Sequence, residues 1–327
     1  FIFMKIDYVF FPKLFFKKIK KPIIIVGNPR SGTTFLHRYL SKNKLGTGSP
    51  LWKLLYPSLT LQKLIYPFLP FLEKISPTKH HSTVAHKTNL QSIETDDASI
   101  LFRFFDGFFL YGFILCWHDD DLFDWVDPKV RNNSKRDFKW LKAIWKRTLI
   151  GEKQDTIIPK LFSASANIPE FLNAFPDAKV LYMVRDPLSV IPSGLSLVTG
   201  VLDKRFGFWN QPEKKRNQYL SKLYKGLVQL QTRFHDDWVS GKIDKSKVMI
   251  VKFDDLMNNF DTLMKDILDF VGHQADDGLL AKIKETADSQ KQFKSKHKYD
   301  LEKFGLLEKQ IRQDCNKIYR TFLNNKS

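Results

Sequence analysis

PIIIVGNPRSGTTFLH, residues 22–37, contains three successive structural signals. The four β-branched residues Ile23–Val26 form the kind of apolar run that is typical of a buried parallel strand. Gly27 and Gly32 bound the tight loop that follows, and the residues after this loop can begin a helix. Because a strand, a loop and a helix N-terminus in this order bring several backbone N–H groups to one anion, the sequence predicts a phosphate-binding loop.

The loop departs at one position from the nucleotide-binding pattern GxxxxGK[ST]. Thr33 stands where that pattern has its lysine, which normally reaches the β- and γ-phosphates of the nucleotide. The loop is therefore poorly equipped for ATP or GTP, although it can still hold a single phosphate. Arg30, inside the loop, offers a planar fork of donors to phosphate or sulfonate oxygens. The alternative is a simple glycine turn in which Arg30 is solvated.

A second motif, RDPLSVIPS, spans residues 185–193 directly after the predicted strand 178–184. Ligands of open parallel sheets gather at the carboxyl ends of the strands, so this motif is expected to face the same crevice as the loop. Arg185 would leave the sheet there, and Ser193 would lie two turns along the next helix. Together they can hold a second phosphate. The alternative is that Arg185 pairs with Asp186 while Ser193 only decorates a helix.

These two motifs resemble the sulfotransferases that use 3′-phosphoadenosine 5′-phosphosulfate (PAPS). PRSGTT at residues 29–34 is similar to their 5′-phosphosulfate loop, and residues 185–193 are similar to their 3′-phosphate motif. The resemblance implies PAPS as the donor, 3′,5′-adenosine bisphosphate as the product, and no metal. It further implies that the 5′-phosphosulfate is bound by Arg30, Ser31, Gly32, Thr33 and Thr34, and the 3′-phosphate by Arg185 and Ser193.

Sulfonyl transfer also requires cations that meet the developing charge and a base that takes the proton of the acceptor hydroxyl. By the same resemblance, Arg30 and Lys160 are expected to act at the leaving phosphate, with a surface position as the alternative for Lys160. The base is expected between the two apolar segments of the first half. In order of preference, the candidates are His86, Glu94, Asp96 and Asp97.

A basic segment near the C-terminus resembles the late pattern with which the family folds over the nucleotide. Within it, Lys296, His297 and Lys298 are expected to contact the 3′-phosphate. The alternative for this segment is a solvated loop.

Two aromatic-rich segments, residues 54–72 and 100–117, are candidates for lining a hydrophobic acceptor site. Prolines and Lys63 interrupt the first segment, and the second is predicted to be a buried helix rather than a membrane span. No acid lies in Thr47–Trp52, where tyrosylprotein sulfotransferases carry a catalytic glutamate, so a peptide tyrosine is a doubtful acceptor. The sequence therefore predicts a small hydroxyl acceptor of hydrophobic or lipid-like character.

Short strands alternate with helices through the second half of the chain, which predicts a parallel sheet with helices on both faces. The expected fold is α/β, a P-loop-like three-layer α/β/α arrangement around a central parallel sheet. A single domain is expected over residues 22–327, with a helical insertion at about 50–150 that forms the acceptor site. Residues 1–21 form a basic and aromatic N-terminal arm in this interpretation.

The formal net charge of +18 and the pI near 9.6 indicate an anionic partner. The arm has two interpretations: a segment packed on the domain, or an anchor on anionic lipid. Two cysteines far apart, with no metal-ligand spacing, predict a reduced and cytoplasmic chain, with membrane association left open.

The function predicted from these observations is that of a PAPS-dependent sulfotransferase that acts on a small or lipid-like hydroxyl compound, with no nucleic-acid partner. One alternative is a P-loop nucleotide kinase or NTPase, which Thr33 disfavours. Another is a non-catalytic basic protein that binds nucleic acid or a membrane.

Overall fold

A computed structural model describes residues 2–76, 89–292 and 301–323 of the chain. Its centre is a parallel sheet in the order β1-β2-β3. The strands are β1 (Ile23–Gly27), β2 (Lys179–Val184) and β3 (Val248–Lys252). All three therefore end at the same edge, which is where ligands of such sheets gather.

Residues 156–161 continue the sheet on the other side of β1. The backbone N–H of Ile25 donates to the Pro159 carbonyl at 2.9 Å, and the N–H of Leu161 donates to the Ile25 carbonyl at 3.1 Å. Residue Thr47 extends the sheet once more, because its carbonyl accepts from the N–H of Ile158 at 2.8 Å. The loop after β1 consequently lies in the interior of the sheet edge, with a neighbouring segment on each side.

Helices account for most of the remaining described chain. Those before β2 are α1 (Ile2–Phe10), α2 (Lys13–Phe16), α3 (Thr33–Lys42), α4 (Leu51–Leu55), α5 (Leu59–Ile65), α6 (Leu69–Ile75), α7 (Asp97–Phe104), α8 (Phe108–Phe113), α9 (Ser134–Gly151) and α10 (Ile168–Ala174). Those after β2 are α11 (Pro187–Phe206), α12 (Glu213–Val239), α13 (Phe253–Asn258), α14 (Phe260–Val271), α15 (Asp277–Gln292), α16 (Glu308–Asp314) and α17 (Asn316–Ile318). Short 3₁₀ turns and a π-helical turn at Tyr319–Leu323 connect several of them.

The side chains of β1 alternate between two hydrophobic cores, as the period of two in a strand requires. Ile23 and Ile25 pack with α3, α14 and α15, whereas Ile24 and Val26 pack with α11 and α12 on the opposite face. All four side chains are buried, so helices cover both faces. The three-layer α/β/α fold predicted from the sequence is confirmed; the division at residues 21 and 22 stays a prediction.

The apolar segment 100–117 is not one helix, contrary to the sequence-based expectation. Phe105 and Gly107 adopt left-handed backbone conformations, with φ of 50° and 85°, and separate α7 from α8. A 3₁₀ turn, Leu115–Trp117, follows. In the described part of the chain no single helix is both long and apolar enough to cross a membrane; α7 together with Phe108–Trp117 passes that test only as a pair bent by 75°.

The N-terminal arm is attached to the domain through Asp7. This carboxylate is fully buried and pairs with the Arg147 guanidinium at 2.7 Å. It also accepts the hydroxyl of Ser58 at 2.7 Å and the backbone N–H groups of Leu59 and Thr60, which are the first residues of α5. Asp7 thus satisfies helix N–H groups that would otherwise lack partners, and it fixes α1 against α5.

Replacing Asp7 with Asn should lower the free energy of unfolding by about 3–5 kcal/mol, because Arg147 would be left buried without a counter-charge. Urea unfolding of Asp7→Asn and of Lys5→Gln, an exposed residue of the same helix, measures the effect. Equal stabilities for the two variants would contradict the structural role given to Asp7.

Candidate active site

The loop after β1 is shaped by its two glycines. Gly27 has φ of 130°, and a Cβ atom there would lie 2.5 Å from the Met183 carbonyl oxygen of β2. Gly32 has φ of 94° and immediately precedes α3. Between them the Ser31 hydroxyl donates to the Asn28 carbonyl at 2.7 Å, which closes the turn. The loop therefore presents the N-terminus of the ten-residue helix α3 at the sheet edge, as a phosphate-binding loop requires.

Arg30 joins this loop to the second motif. Its Nε donates to the Ser193 hydroxyl at 3.0 Å, and its carbonyl accepts from Nη1 of Arg185 at 2.8 Å. The Arg185 guanidinium in turn stacks on the ring of Phe253, 4.1 Å away. The two motifs, whose arginines are 155 residues apart in sequence, are thus in direct contact.

Arg30 also adopts a conformation that is unfavourable for a residue with a side chain. Its φ is 76°, in the left-handed region, which costs about 1 kcal/mol or more. Such strain persists where surrounding contacts fix the residue, and it is concentrated at functional sites. Here the bonds to Ser193 and Arg185 fix both its side chain and its carbonyl.

Lys160 is fully buried, so the alternative of a surface lysine is wrong. Its Nζ donates to the Thr34 hydroxyl at 3.0 Å and lies 3.7 Å from a Glu94 carboxylate oxygen. The other Glu94 oxygen accepts from Arg38 at 3.0 Å. Burial lowers the pKa of Lys160, and the Glu94 carboxylate opposes that shift. The result is a buried charge network that reaches the second residue of α3.

Asp96 and Asp97, the last two candidates for the base, are both engaged in structural hydrogen bonds. Asp96 accepts from Nε1 of Trp145 at 2.9 Å and from the backbone N–H of Lys160 at 3.1 Å. Burial raises the pKa of Asp96 to about 7. Asp97 accepts the backbone N–H groups of Phe162 and Ser163 at 2.6 and 3.1 Å. Both carboxylates hold residues 160–163 in place, which makes them poor choices for the base.

Not every predicted residue falls within the described part of the chain. His86, the first candidate for the base, lies outside it, as do Lys296, His297 and Lys298. Their roles stay predictions. Within the described ranges, no group of three His, Cys, Asp or Glu side chains is arranged to hold a metal ion. Both cysteines, Cys116 and Cys315, are buried and free.

Two residues of the site were missed by sequence reasoning. Arg38 lies four positions after Thr34 on α3, so helical spacing places both on one face and could have revealed it. Phe253 follows β3 directly, and the rule that strand ends converge would have placed it at the same edge. Neither residue belongs to the two motifs on which the sequence analysis is based, residues 29–34 and 185–193.

The side chains that converge at the sheet edge fit a polyanionic ligand. Arg30, Lys160 and Arg185 bring three cations to the N-terminus of α3, and hydroxyl groups of Thr34 and Ser193 contact two of them. Guanidinium groups, an ammonium group and helix N–H groups are the donors that phosphate and sulfate oxygens prefer. Fold and site together define an α/β protein with a P-loop-like anion site.

Comparison with known families identifies the protein family to which this fold and site belong. The model described as Sulfotransferase family matches residues 22–277, more than three quarters of the chain. The chain therefore belongs to the sulfotransferase family. This result favours the sulfotransferase interpretation over a nucleotide kinase or a non-catalytic basic protein.

Two curated relatives are similar over part of the sequence. The omega-hydroxy-beta-dihydromenaquinone-9 sulfotransferases Stf3 of Mycobacterium bovis and Mycobacterium tuberculosis are each 28% identical over 184 residues. The match covers 54% of this chain and 45% of each relative, so the chain spans about half the length of the curated relatives it matches.

Two solved structures share the fold. Sulfotransferase STF9 from Mycobacterium avium superposes with a TM-score of 0.73 at 15% identity, over 98% of this chain and 81% of the other. Sulfotransferase STF1 from Mycobacterium tuberculosis gives 0.66 at 17% identity, over 95% and 80%. At these identities the likeness concerns the fold alone.

His37, on α3, provides a pH-dependent contribution to the stability of this site. Its ring is fully buried, and Nε2 donates to the Ile158 carbonyl at 2.7 Å. Burial and the charge of Lys160 lower the pKa of His37 to about 3. An unfolded histidine binds a proton near pH 6.5, so stability is complete above that pH and is lost as the pH falls toward 3.

Replacing His37 with Gln, which can also donate to the Ile158 carbonyl, should remove this dependence. Between pH 7.5 and pH 5, the wild type should lose about 2 kcal/mol more unfolding free energy than His37→Gln. Urea unfolding at the two pH values measures the difference. Parallel losses in both proteins would show that the ring is protonated in the folded state.

Proposed function

We propose that the protein transfers a sulfonate group from PAPS to a hydroxyl group of a hydrophobic or lipid-like acceptor. The observation that carries the proposal is the pair of contacts from Arg30 to Ser193 and from Arg185 to Arg30. They place two anion-binding motifs side by side. One ligand with phosphate groups at both ends of a ribose would engage both motifs, which is the chemistry of this donor.

In this proposal, the loop and α3 bind the 5′-phosphosulfate. Arg30 and the N–H groups at Gly32, Thr33 and Thr34 supply fixed donors without any need for a γ-phosphate lysine. Arg185 and Ser193 bind the 3′-phosphate. Arg185 is already oriented by Phe253 and by the Arg30 carbonyl, so little conformational entropy is lost when a ligand binds.

Lys160 is proposed to stabilise the negative charge that develops on the leaving phosphate. A buried ammonium group acts in a low dielectric, where each charge interaction is stronger than in water. The Glu94 carboxylate and the hydroxyl of Thr34, the second residue of α3, hold it. Lys160 is thus positioned before any ligand arrives, which avoids reorganisation during the reaction.

Two candidates remain for the base. His86 is the first, because an imidazole accepts a proton readily near neutral pH. Glu94 is the second; it is buried and already pairs with Arg38 and Lys160. If His86 is the base, Glu94 serves to orient Lys160. If His86 is not the base, Glu94 takes the proton of the acceptor hydroxyl.

A lipid-like acceptor is favoured by two observations. The first is the aromatic content of residues 54–72 and 100–117, the two segments that flank Glu94 in the sequence. The second is that the curated relatives are sulfotransferases of a menaquinone derivative, a lipid. Since the match covers less than half of those relatives, the acceptor of this chain is proposed as a class and not as that compound.

Arg185→Ala should weaken binding of 3′,5′-adenosine bisphosphate about 10- to 100-fold, since a hydrogen bond to a charged group contributes about 1.5–3 kcal/mol. Isothermal titration calorimetry measures the affinity. Arg205→Ala, at the exposed far end of α11, is the matched control and should bind like the wild type. An unchanged affinity for Arg185→Ala would reject its assignment.

His86→Ala should abolish sulfonate transfer while leaving binding of the bisphosphate intact, because the base acts only on the acceptor. Glu94→Gln should reduce transfer less, through a misplaced Lys160. Mass analysis of products from PAPS and a panel of sterols, phenols and long-chain alcohols provides the rates. If His86→Ala keeps its activity and Glu94→Gln loses it, Glu94 is the base.

A further inference from the structure

Exposed apolar side chains are concentrated in two short segments of the described chain. Of the twenty large hydrophobic residues that are exposed there, eleven fall within residues 2–16 and 64–75. They are Ile2, Phe3, Val9, Phe10, Phe15, Phe16, Leu64, Tyr66, Phe68, Phe71 and Ile75. Phe16 is 82% exposed, and Phe68 and Phe71 are 63% and 61% exposed. Such a concentration marks an interaction surface.

The two segments are joined through α1 and α5, and we call residues 2–16 together with residues 64–75 the aromatic face. α1 packs along α5, and Asp7 fixes this contact by accepting the N–H groups of Leu59 and Thr60. The ammonium group of Lys63 lies 4.8 Å from the ring centroid of Phe11. Because these contacts exist in the folded chain, the face is preformed and costs no folding on binding.

The charges on and around the aromatic face are mostly positive, and the exposed acid Asp155 at its edge pairs with Lys17 at 2.8 Å. Exposed lysines surround it at positions Lys5, Lys13, Lys18, Lys20, Lys63 and Lys74. Its acids do not balance them: Asp7 is buried against Arg147, and Glu73 is only half-buried and accepts the N–H of Leu90. Aromatic rings flanked by lysines are the combination that suits the interface of a bilayer with anionic headgroups.

We propose that the aromatic face docks the protein in the plane of an anionic phospholipid membrane. The phenylalanine rings would enter the boundary between headgroups and acyl chains, and the lysines would contact the phosphates. A second protein would be a poorer partner for this face, because protein interfaces are depleted of lysine at their centres. The docking is peripheral, consistent with helices α1, α2 and α6 of only nine, four and seven residues.

The aromatic face is structurally connected to the active site. Leu69 of α6 packs with Trp52 and Leu90, and the ring of Tyr66 lies 6.4 Å from that of Trp52. Next to this cluster, Ile93 pairs with Pro50, and Glu94 follows it. Membrane docking would therefore bring a lipid-like acceptor toward the segment that carries Glu94. This step rests on the proposed function, whereas the docking itself does not.

Sedimentation with vesicles tests the docking without any measurement of sulfonate transfer. The full chain is mixed with vesicles of phosphatidylglycerol and phosphatidylcholine, or of phosphatidylcholine alone, at low and high salt. Binding should be at least tenfold stronger on the anionic vesicles and should weaken as salt rises. Comparable binding to both vesicle types, or none to either, would overturn the proposal.

Two sets of variants test which residues are responsible. Phe16→Glu combined with Phe68→Glu and Phe71→Glu should lower binding at least tenfold, whereas Phe206→Glu, 68% exposed on α11, should not. Lys13→Gln combined with Lys18→Gln and Lys20→Gln should lower binding at least tenfold, while the same change at Lys282, Lys284 and Lys291 of α15 should have a smaller effect.

The lysine variants keep the test decisive if the phenylalanine variant fails to fold, which circular dichroism reveals. Light scattering without lipid measures the oligomeric state and so tests whether a second copy of the chain occupies the face instead. A dimer that dissociates in the phenylalanine variant would show that the face binds a second copy, and this outcome would overturn the proposal. If the wild-type protein binds the vesicles but transfers no sulfonate, the proposed function is rejected and the docking proposal stands.

Discussion

The bond from Arg185 to the carbonyl of Arg30 is the contact on which the proposed donor site depends. It joins the end of β2 to the loop after β1, and the bond from Arg30 to Ser193 adds the following helix. The loop is held in a strained form, with Arg30 at φ of 76°, by these two partners. Strain in one residue is therefore compensated by contacts that also orient two guanidinium groups toward one edge of the sheet.

Buried charge organises the other half of the site. Lys160 could not be buried alone, and its environment supplies Glu94 at 3.7 Å and the Thr34 hydroxyl at 3.0 Å. Asp96 and Asp97 fix the backbone around it rather than its ammonium group. Three acids that are close in sequence therefore have different roles. Glu94 contacts the ammonium group of Lys160, whereas Asp96 and Asp97 hold the backbone of residues 160–163.

Much of the nucleotide side of the site could be predicted, because local signals determine it. Glycine spacing, a β-branched run and the convergence of strand ends together predicted that the loop and residues 185–193 face one crevice, and Arg30 and Ser193 are in contact there. The burial of Lys160 and the pairing of Arg38 with Glu94 were not predictable in this way, since each depends on a side chain distant in sequence. The aromatic face likewise needed the packing of α1 on α5, which no local pattern of lysine and phenylalanine specifies.

The central claim, that two adjoining motifs bind the two phosphate groups of one nucleotide, is tested most directly by calorimetry with a pair of ligands. 3′,5′-Adenosine bisphosphate and 5′-AMP differ only in the 3′-phosphate. The wild type should bind the bisphosphate at least about tenfold more tightly, and a double variant, Arg185→Ala with Ser193→Ala, should bind both ligands equally. Equal affinities in the wild type, or an unchanged preference in the double variant, would contradict the account.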